Sequence, residues 1–515
     1  MRLAPLVGLA GILVGVLAVE FNDQVLTISL EDVSGHFGLG HDSATWLATI
    51  YVVGEIVGMA TGPTLATIFT LRRFALFAIA TATLPTLLMP FAPGPGTLLA
   101  LRLIQGLSGG FMIPLLMMTA LRVLDPKIRL YGLAAYALSA TAAPSFATAL
   151  AALWTDILFD WRFIFFGIVP FATIASVLVW FGLDQDELRL SKLQTFDWIG
   201  TLLVLIGLGG LAIILEQGDR LDWFNSTAIS VLALVSVVAI PALVVWEMRA
   251  PAPLFDLRLL ARRNFAYAII ALLLFLVIAL GASAVPTAYL GQVHAYRSLQ
   301  SSSLPLVVGV SQIFLLPATA FLLDHERVDS RWVSAIGYVC ILAALIGTAG
   351  MDSSWTRQQF LVWEALGSIG FAFVILPLLM MATNVVKPQE GPFAASEVNT
   401  PRAIAEALGV WITQLVQRWR GGLHRDRILD TLGLERYSTV QAQPLGDVVP
   451  ALTPQGVPST SGSVGALGEL VQREVTTLTT IDTFLVLAAL VIVLLVVLML
   501  LPQRTYPPRI QLAHP

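Results

Sequence analysis

The sequence has few charged residues and a single cysteine. Asp, Glu, Lys and Arg make up 12% of its 515 residues, against about 25% in an average soluble domain, which excludes a soluble globular fold. Cys340 alone cannot form a disulfide framework, and the six histidines show no spacing typical of a metal site. The sequence contains no Gly-x-x-x-x-Gly-Lys phosphate loop and no cluster of catalytic His or Asp residues. We therefore predict neither an ATP-driven machine nor an enzyme.

Long apolar runs fill most of the chain, since hydrophobic residues make up 57% of it. Each run is long enough to cross a bilayer as a helix, and most of the separating segments are short and carry Pro, Gly or charge. We therefore predict an all-α integral membrane protein with fourteen spans. Their approximate bounds are 5–32, 44–67, 73–92, 96–120, 131–153, 161–183, 198–216, 227–247, 265–290, 302–323, 332–350, 358–382, 393–416 and 481–502.

The stretch 46–73 sets the predicted orientation. It is an apolar span with Glu55 at its centre, and it ends in Arg72-Arg73. Because Lys and Arg mark cytoplasmic loops, this end is predicted to be cytoplasmic, and most other basic residues fall in loops on the same side. The first run, from Leu6, has no signal-peptide cleavage site and counts as a span. With an even number of spans, both termini are predicted to be cytoplasmic.

The connection 417–480 is the one long segment between spans, and the count places it outside. Its early part, 418–437, is predicted to be helical, and 442–465 is rich in Pro, Ser, Thr and Gly and is predicted to be a loop. The part 466–480 is predicted to be a helix that re-enters the membrane. A loop of this length is usually functional.

The two ends of the chain resemble each other. The turn GPTLATIFTLRR after span two corresponds in position to FLLDHERVDSRW, residues 321–332, after span ten. This predicts a six-helix bundle at 1–190, two inserted helices at 191–250 and a second six-helix bundle at 251–515. Repeated halves with a substrate site between them near the membrane midplane are typical of secondary transporters.

Several motifs resemble those of the major facilitator superfamily, and in particular its fourteen-helix, EmrB-like drug:proton antiporters. LRLIQGLSGG (101–110) matches the Arg-x-x-Gln-Gly-x-x-Gly pattern, and WRFIFFGIVP (161–170) matches the Trp-Arg-x-x-Phe signature. NTPRAIAEALGVW (399–411), LDWFNS (221–226) and RWRGGLHRDRIL (418–429) are similar to further elements. The resemblance implies the major facilitator fold, multidrug efflux with antibiotic resistance, and a bacterial inner membrane. It also implies the proton motive force in place of a cofactor, and a periplasmic adaptor protein at 417–480.

The chain departs from this pattern at three places. Thr67 replaces the acid and Thr70 the glycine of the signature after span two, and Ala143 replaces the glycine before Pro144. Asn22 stands at the usual Asp position of span one, with Asp23 beside it. Small residues and prolines in spans allow close packing or hinging, and plain packing is the alternative. We assign gating and conformational roles to Gly62, Arg72, Arg73, Gly106, Pro144, Asp324 and Arg331.

Charged residues inside spans are costly and so mark candidate sites. Asp23 and Arg102 both lie roughly 9 Å outside the midplane, at 1.5 Å per residue. We predict that they form a proton-coupling pair with Gln105 one turn below, and a static pair that orients helices is the alternative. Glu20 shares a helix face with Asp23 and is either a second proton site or a substrate contact.

The remaining candidates, together with Gln105, are predicted to bind substrate. Glu55 is a proton site, a contact for a cationic drug or a neutral packed carboxyl. Asn399, Arg402 and Glu406 share one face of span thirteen, although Arg402 and Glu406 are also spaced to satisfy each other locally. Four aromatic residues are predicted to face a drug cavity, with packing in the core or against lipid as the alternative. They are Tyr51, Phe111, Trp363 and Phe371.

These observations predict a transporter that exports lipophilic or cationic drugs or toxic compounds in exchange for protons by alternating access. One alternative is a dedicated exporter of a single metabolite, such as a siderophore or a fatty acid. The other is a transport-inactive receptor or scaffold, which the altered positions Thr67 and Thr70 permit. Several acids retained inside the spans argue against a scaffold, because a structural bundle has no need of them.

Overall fold

A computed structural model describes residues 4–158, 160–434, 461–500 and 502–508. Within these residues the chain is built from fourteen long helices. In chain order they are α1 (Ala4–Ile28), α2 (His41–Phe69), α3 (Leu71–Leu88), α4 (Pro95–Val123), α5 (Arg129–Ala152), α6 (Ile168–Gly182), α7 (Trp198–Gln217), α8 (Thr227–Glu247), α9 (Arg263–His294), α10 (Ser303–Leu323), α11 (Ser330–Thr348), α12 (Arg357–Asn384), α13 (Gly391–Leu434) and α14 (Ser461–Leu500). The fold is therefore the predicted all-α one.

Helix α13 differs from the other thirteen, which are the described helices long and apolar enough to cross a membrane. It carries Glu397, Arg402 and Glu406 in its first half, and these charges lower its hydropathy. Yet Glu397 and Arg402 are each only 5% exposed, because α13 packs against α2, α4, α9 and α14. We therefore treat α13 as the fourteenth span, whose charges are buried against protein rather than lipid.

The helices contact one another in two groups, α1–α6 and α9–α14, which we call the N-terminal and C-terminal halves. The halves meet where α2 and α4 contact α13 and where α5 contacts α10 and α12. Helices α7 and α8 pack together, and α7 also contacts α2 and α13, so this inserted pair lies beside the junction of the halves. We call the end of the bundle where α1 begins the inner end and the opposite end the outer end.

The predicted helices at both ends of the connection 417–480 are present in the described residues, whereas the predicted loop at 442–465 is wrong where the structure describes it. Helix α13 continues without a break to Leu434, and α14 already begins at Ser461, so 461–465 is helical and the remainder of the predicted loop lies outside the described residues. Polar contacts hold the two extensions together. Arg425 of the first donates to Gln472 Oε1 of the second at 3.0 Å, and a further contact lies just beyond them on α14. Asp482 lies 2.5 Å from Arg420 and 2.7 Å from His424. We call residues 417–434 and 461–480 the outer hairpin.

Candidate functional site

An ion pair joins the two halves at the centre of the bundle. Arg402 of α13 donates from Nη2 to Glu20 Oε1 of α1 at 2.6 Å, and Glu20 is 7% exposed. The local partner expected from the sequence, Glu406, lies further away, at 3.6 Å from Arg402 Nε. The contact of Arg402 with Glu20 is one that the sequence did not reveal, and it makes this arginine a bridge between the halves.

The predicted contact between Asp23 and Arg102 is present within the N-terminal half. Arg102 Nη2 lies 2.7 Å from Asp23 Oδ1, and its Nε donates to the Leu47 carbonyl at 3.0 Å. Arg102 Nη1 donates to Gln105 Oε1 at 2.7 Å, and the guanidinium lies 4.5 Å from the centre of the Tyr51 ring. The arginine is 1% exposed, and these contacts satisfy its charge and hydrogen-bonding capacity in a buried position.

Glu20 and Asp23 face the same side of α1 but have different arginine partners. Glu20 binds an arginine of the C-terminal half, whereas Asp23 binds an arginine of its own half. Neutralising Glu20 therefore weakens the contact between the halves, whereas neutralising Asp23 weakens a contact inside the N-terminal half. Helix α1 thus connects the junction of the halves to the interior of the N-terminal half.

Glu55 and Asn399 lie beside this junction. Glu55 is 4% exposed, and Glu406, Glu20 and Arg402 are its main electrostatic neighbours. Asn399 accepts a hydrogen bond of 2.6 Å from the hydroxyl of Tyr136 on α5. Tyr136 was not among the predicted residues, although a hydroxyl seven residues into an apolar span is a signal that a hydrogen-bond partner is needed. We call the six charged residues Glu20, Asp23, Glu55, Arg102, Arg402 and Glu406 the central charge cluster.

Of the four predicted cavity aromatics, Tyr51 contacts the central charge cluster through Arg102. Phe111 packs against Phe74 of α3 at a ring distance of 5.1 Å, inside the N-terminal half, and Phe371 packs against Phe275 of α9 at 5.1 Å. Trp363 packs against Gly347 of α11, and α11 contacts α12 and α14 of its own half. The structure therefore does not bring Phe111 or Trp363 to the junction of the halves.

The small residues assigned to gating differ in position. A Cβ placed on Gly106 would lie 2.1 Å from the Tyr51 carbonyl oxygen, and one on Gly62 would lie 3.1 Å from the Phe111 Cα. Both are contacts of α2 with α4 inside one half. Pro144 is next to Ser145, which packs on Gly309 of α10, so this proline lies where the halves cross.

The charged residues assigned to gating lie at the inner end. The Arg72 guanidinium lies 4.3 Å from the Trp180 ring centre, and Arg73 is exposed at the start of α3. Asp324 is half-buried directly after α10, and Arg331 binds Asp329 at 2.8 Å. Burial of Asp329 opposes its ionisation, but the hydrogen bonds from Arg331 outweigh this and lower the pKa of Asp329 below its usual value.

Thr70 occupies an unusual backbone conformation between α2 and α3. Its φ is +74° and its ψ is 145°, a region that side chains with a Cβ rarely adopt. The resemblance places a glycine at this position, and a glycine adopts a positive φ without strain. The loop therefore keeps the backbone shape that a glycine favours although its residue has changed.

The turn between α7 and α8 ties the halves together at the outer end. Arg418 of α13 binds Asp219 at 3.0 Å and also Asp222. On the other side, Gln217 Nε2 donates to Thr49 Oγ1 of α2 at 2.6 Å, and Arg220 donates to Gln217 at 2.7 Å. The inserted helices thus bridge α2 and α13.

A small apolar cavity lies between the halves, on the inner side of the central charge cluster. Its lining includes Leu276, Leu379, Tyr136 and Arg402, and it has room for little more than a water molecule. Arg402 Nη1 is buried and has no hydrogen-bond acceptor among the described residues. Because pockets for drug-sized ligands measure about 300–1,000 Å³, binding of such a ligand requires the halves to separate.

The chain is similar to bacterial export proteins over most of its length. It is 25% identical to the multidrug export protein EmrB of Escherichia coli strain K12, covering 85% of this chain and 87% of that protein. It is 24% identical to the fatty acid resistance protein FarB of Neisseria gonorrhoeae, covering 87% of each. The fold is similar to that of the human organic anion transporter MFSD10, with a TM-score of 0.59, 13% identity and coverage of 95% and 99%. The Major Facilitator Superfamily model matches residues 12–410, and the chain therefore belongs to this superfamily of multi-pass membrane transporters.

Proposed function

We propose that the protein exports lipophilic or cationic drugs or toxic compounds across a bacterial inner membrane in exchange for protons. The observation that carries this proposal is the buried ion pair of Glu20 and Arg402 between the halves. Alternating access requires the halves to change their contacts near the midplane, and a charged contact there responds to a proton. The driving force is the proton motive force, with no cofactor and no covalent chemistry.

Protonation of Glu20 removes the negative charge that binds Arg402. The arginine then lies beside an apolar cavity with its charge uncompensated on that side, and the halves lose their shortest ion pair. Asp23 and Arg102 form a second pair of an acid and an arginine, closer to the outer end. Asp23 lies on the same face of α1 as Glu20. This arrangement supports proton entry from the outer side and substrate release to the same side.

The topology proposed with this function places the inner end in the cytoplasm. Both termini are then cytoplasmic, and the outer hairpin is periplasmic. The support is the concentration of Lys and Arg at the inner end, which includes Arg72, Arg73, Arg262 and Arg263.

Asp23→Asn is expected to abolish gradient-driven export. The asparagine preserves size but leaves the Arg102 charge without its carboxylate, so the gradient-driven rate should fall at least about tenfold. The measurement is efflux of ethidium, a cationic dye, from proteoliposomes with an imposed pH gradient. Asp186→Asn is the matched control, because Asp186 also pairs with an arginine, Arg122, but at the exposed surface.

Two results would count against this proposal. Efflux in the unmutated protein that persists unchanged when the pH gradient is collapsed would exclude proton exchange. Gradient-driven efflux that survives in Asp23→Asn would remove Asp23 from the coupling pair and leave Glu20 and Glu55 as the carriers.

A dedicated exporter of one metabolite, such as a fatty acid, is the second candidate. The orphan Nη1 of Arg402 beside an apolar cavity favours a ligand with an apolar body and an acceptor oxygen, and FarB is among the relatives. Competition separates the candidates. A medium-chain fatty acid that inhibits ethidium efflux supports a broad exporter, whereas transport of the fatty acid without any ethidium efflux supports the dedicated one.

The outer hairpin is proposed to bind a periplasmic adaptor protein. Trp419 and Leu423 lie one turn apart on α13, and both are exposed apolar residues. Leu423→Ser is expected to lower drug resistance of cells, since losing one apolar anchor of an interface costs about 2 kcal/mol. The same variant should transport normally in proteoliposomes. Asp430→Ser, also exposed, is the control, and equal resistance in all three strains would contradict docking at this surface.

A further inference from the structure

Glu397 is a buried carboxyl near the inner end of α13 that belongs to no part of the proposed machinery. It lies two residues before Asn399 and is 5% exposed. Neither carboxylate oxygen has a hydrogen-bond partner among the described residues. The backbone amide of Asp256 approaches the carboxyl without completing a hydrogen bond.

The charged groups that interact with Glu397 are mainly acidic. They are Asp256, in the segment between α8 and α9, and Glu247 at the end of α8. Glu247 is itself 4% exposed. Its Oε2 accepts from the amides of Leu254 at 2.8 Å and Phe255 at 3.1 Å, whereas its Oε1 is buried with no donor in the described part of the chain.

The cation that interacts with Glu397 among the described residues is already engaged with another carboxylate. Arg262 interacts with Glu397 but donates two hydrogen bonds to Glu390, of 2.7 and 2.6 Å, and another to the Val385 carbonyl. Those hydrogen bonds from Arg262 hold the pKa of Glu390 below its usual range. Glu390 is thus the ionised partner of Arg262, and Glu397 is left with two neighbouring carboxyls.

An ionised Glu397 would be a buried negative charge beside other carboxylates, and among the described residues only the approaching Asp256 amide would offset it. Such a charge is strongly unfavourable unless it is paired, and a buried carboxyl in this setting takes up a proton instead. We propose that Glu397 is a proton-binding site at the inner end, separate from the central charge cluster, which holds a proton in this closed arrangement and releases it when the inner end opens.

The neighbouring contact explains the release. Ser396 Oγ donates to the Ala60 carbonyl of α2 at 3.1 Å, so the residue adjacent to Glu397 holds the two halves together. Opening of the inner end separates α13 from α2 at this level and admits water to Glu397. The O–H bond of the carboxyl then breaks, the proton passes to water, and the carboxylate keeps the electron pair. The role of this step in transport rests on the proposed proton exchange, whereas the protonation itself does not.

Infrared difference spectroscopy of the purified protein tests the protonation directly. A protonated carboxyl has a C=O stretching band that a carboxylate lacks, so Glu397→Gln is expected to remove one such band at neutral pH. Glu390→Gln is the matched control and should remove none, because Glu390 is ionised. Spectra of the wild type and Glu397→Gln with the same protonated-carboxyl bands would overturn the proposal.

The pH dependence of thermal unfolding gives an independent result. A carboxyl that is protonated when folded and ionised when unfolded costs the folded state stability as the pH rises. Glutamine carries no such penalty, so the Tm of Glu397→Gln should exceed that of the wild type by a margin that widens between about pH 5 and about pH 8. A margin that does not change with pH would show an ionised Glu397 and overturn the proposal.

Transport separates this inference from the proposed function. Glu397→Gln cannot release a proton, so gradient-driven ethidium efflux should be lost while exchange of ethidium without a gradient continues. Normal gradient-driven efflux in this variant would overturn the role in release. Absence of gradient-driven ethidium efflux in the wild type would instead refute proton-driven export of this cationic dye and leave the infrared result standing.

Discussion

Arg402→Met should be among the most damaging single substitutions in this protein. Methionine matches the length of the arginine stem but removes the charge that lies 2.6 Å from Glu20 and 3.6 Å from Glu406. Both carboxyls then lie in the bundle without a cation. Removing one partner of a buried ion pair costs about 3–5 kcal/mol, which is roughly a hundredfold to several thousandfold in an equilibrium constant. We expect a large fall in Tm in detergent and no transport in proteoliposomes.

A second substitution in the partner should recover part of that loss. Replacing both members of a buried pair with neutral residues is often close to neutral for stability, so Glu20→Gln combined with Arg402→Met should have a higher Tm than Arg402→Met alone. Asp23→Asn combined with Arg402→Met is the control. Because Asp23 pairs with Arg102 instead, this combination should show no recovery. Equal recovery in both combinations would mean that Glu20 and Arg402 do not act as a pair.

The two ion pairs show what depth along a span can and cannot predict. The sequence predicts the pair of Asp23 and Arg102 because both lie at a similar distance outside the midplane. Two opposite charges at one depth in a helix bundle are expected to form an ion pair. Arg402 has two acidic partners, and the sequence predicts one of them. Glu406, one turn away on the same helix, is the predicted local partner at 3.6 Å, whereas Glu20, at 2.6 Å, is 382 residues distant in sequence. Only the packing of α13 against the N-terminal half reveals the second partner.

The connection after span thirteen shows a different limit. Its sequence predicts the helical extensions of the outer hairpin but also a loop at 442–465, whereas 461–465 already belongs to α14. The residue at which a helix begins in such a segment depends on contacts with other parts of the chain, which local composition does not show. The same holds for Glu397. In the sequence it is one more charged residue near the end of a span, and only the tertiary structure shows that it is buried without a hydrogen-bond partner among the described residues.

The close approach of α2 and α4 predicts that Gly106→Ala and Gly110→Ala are also severe. A Cβ on Gly106 would lie 2.1 Å from the Tyr51 carbonyl oxygen, and one on Gly110 equally close to that of Glu55. Atoms of two helix backbones cannot give way as a flexible side chain does, so the helices must separate.

Overpacking of this kind costs about 1–3 kcal/mol for each substitution, and the consequence for function is larger than the loss of stability. Tyr51 and Glu55 move with α2, while Arg102 remains on α4, so the ring under the guanidinium and the carboxyl beside the junction of the halves are both displaced. We expect a lower Tm and little gradient-driven efflux in each variant. Gly422→Ala is the matched control, because a Cβ there meets no atom within 4 Å and alanine favours the helix by about 1 kcal/mol. Suppose that Gly106→Ala had the same Tm and the same gradient-driven efflux as Gly422→Ala. The two helices could then separate without loss, and their contact would not set the position of Tyr51 and Glu55.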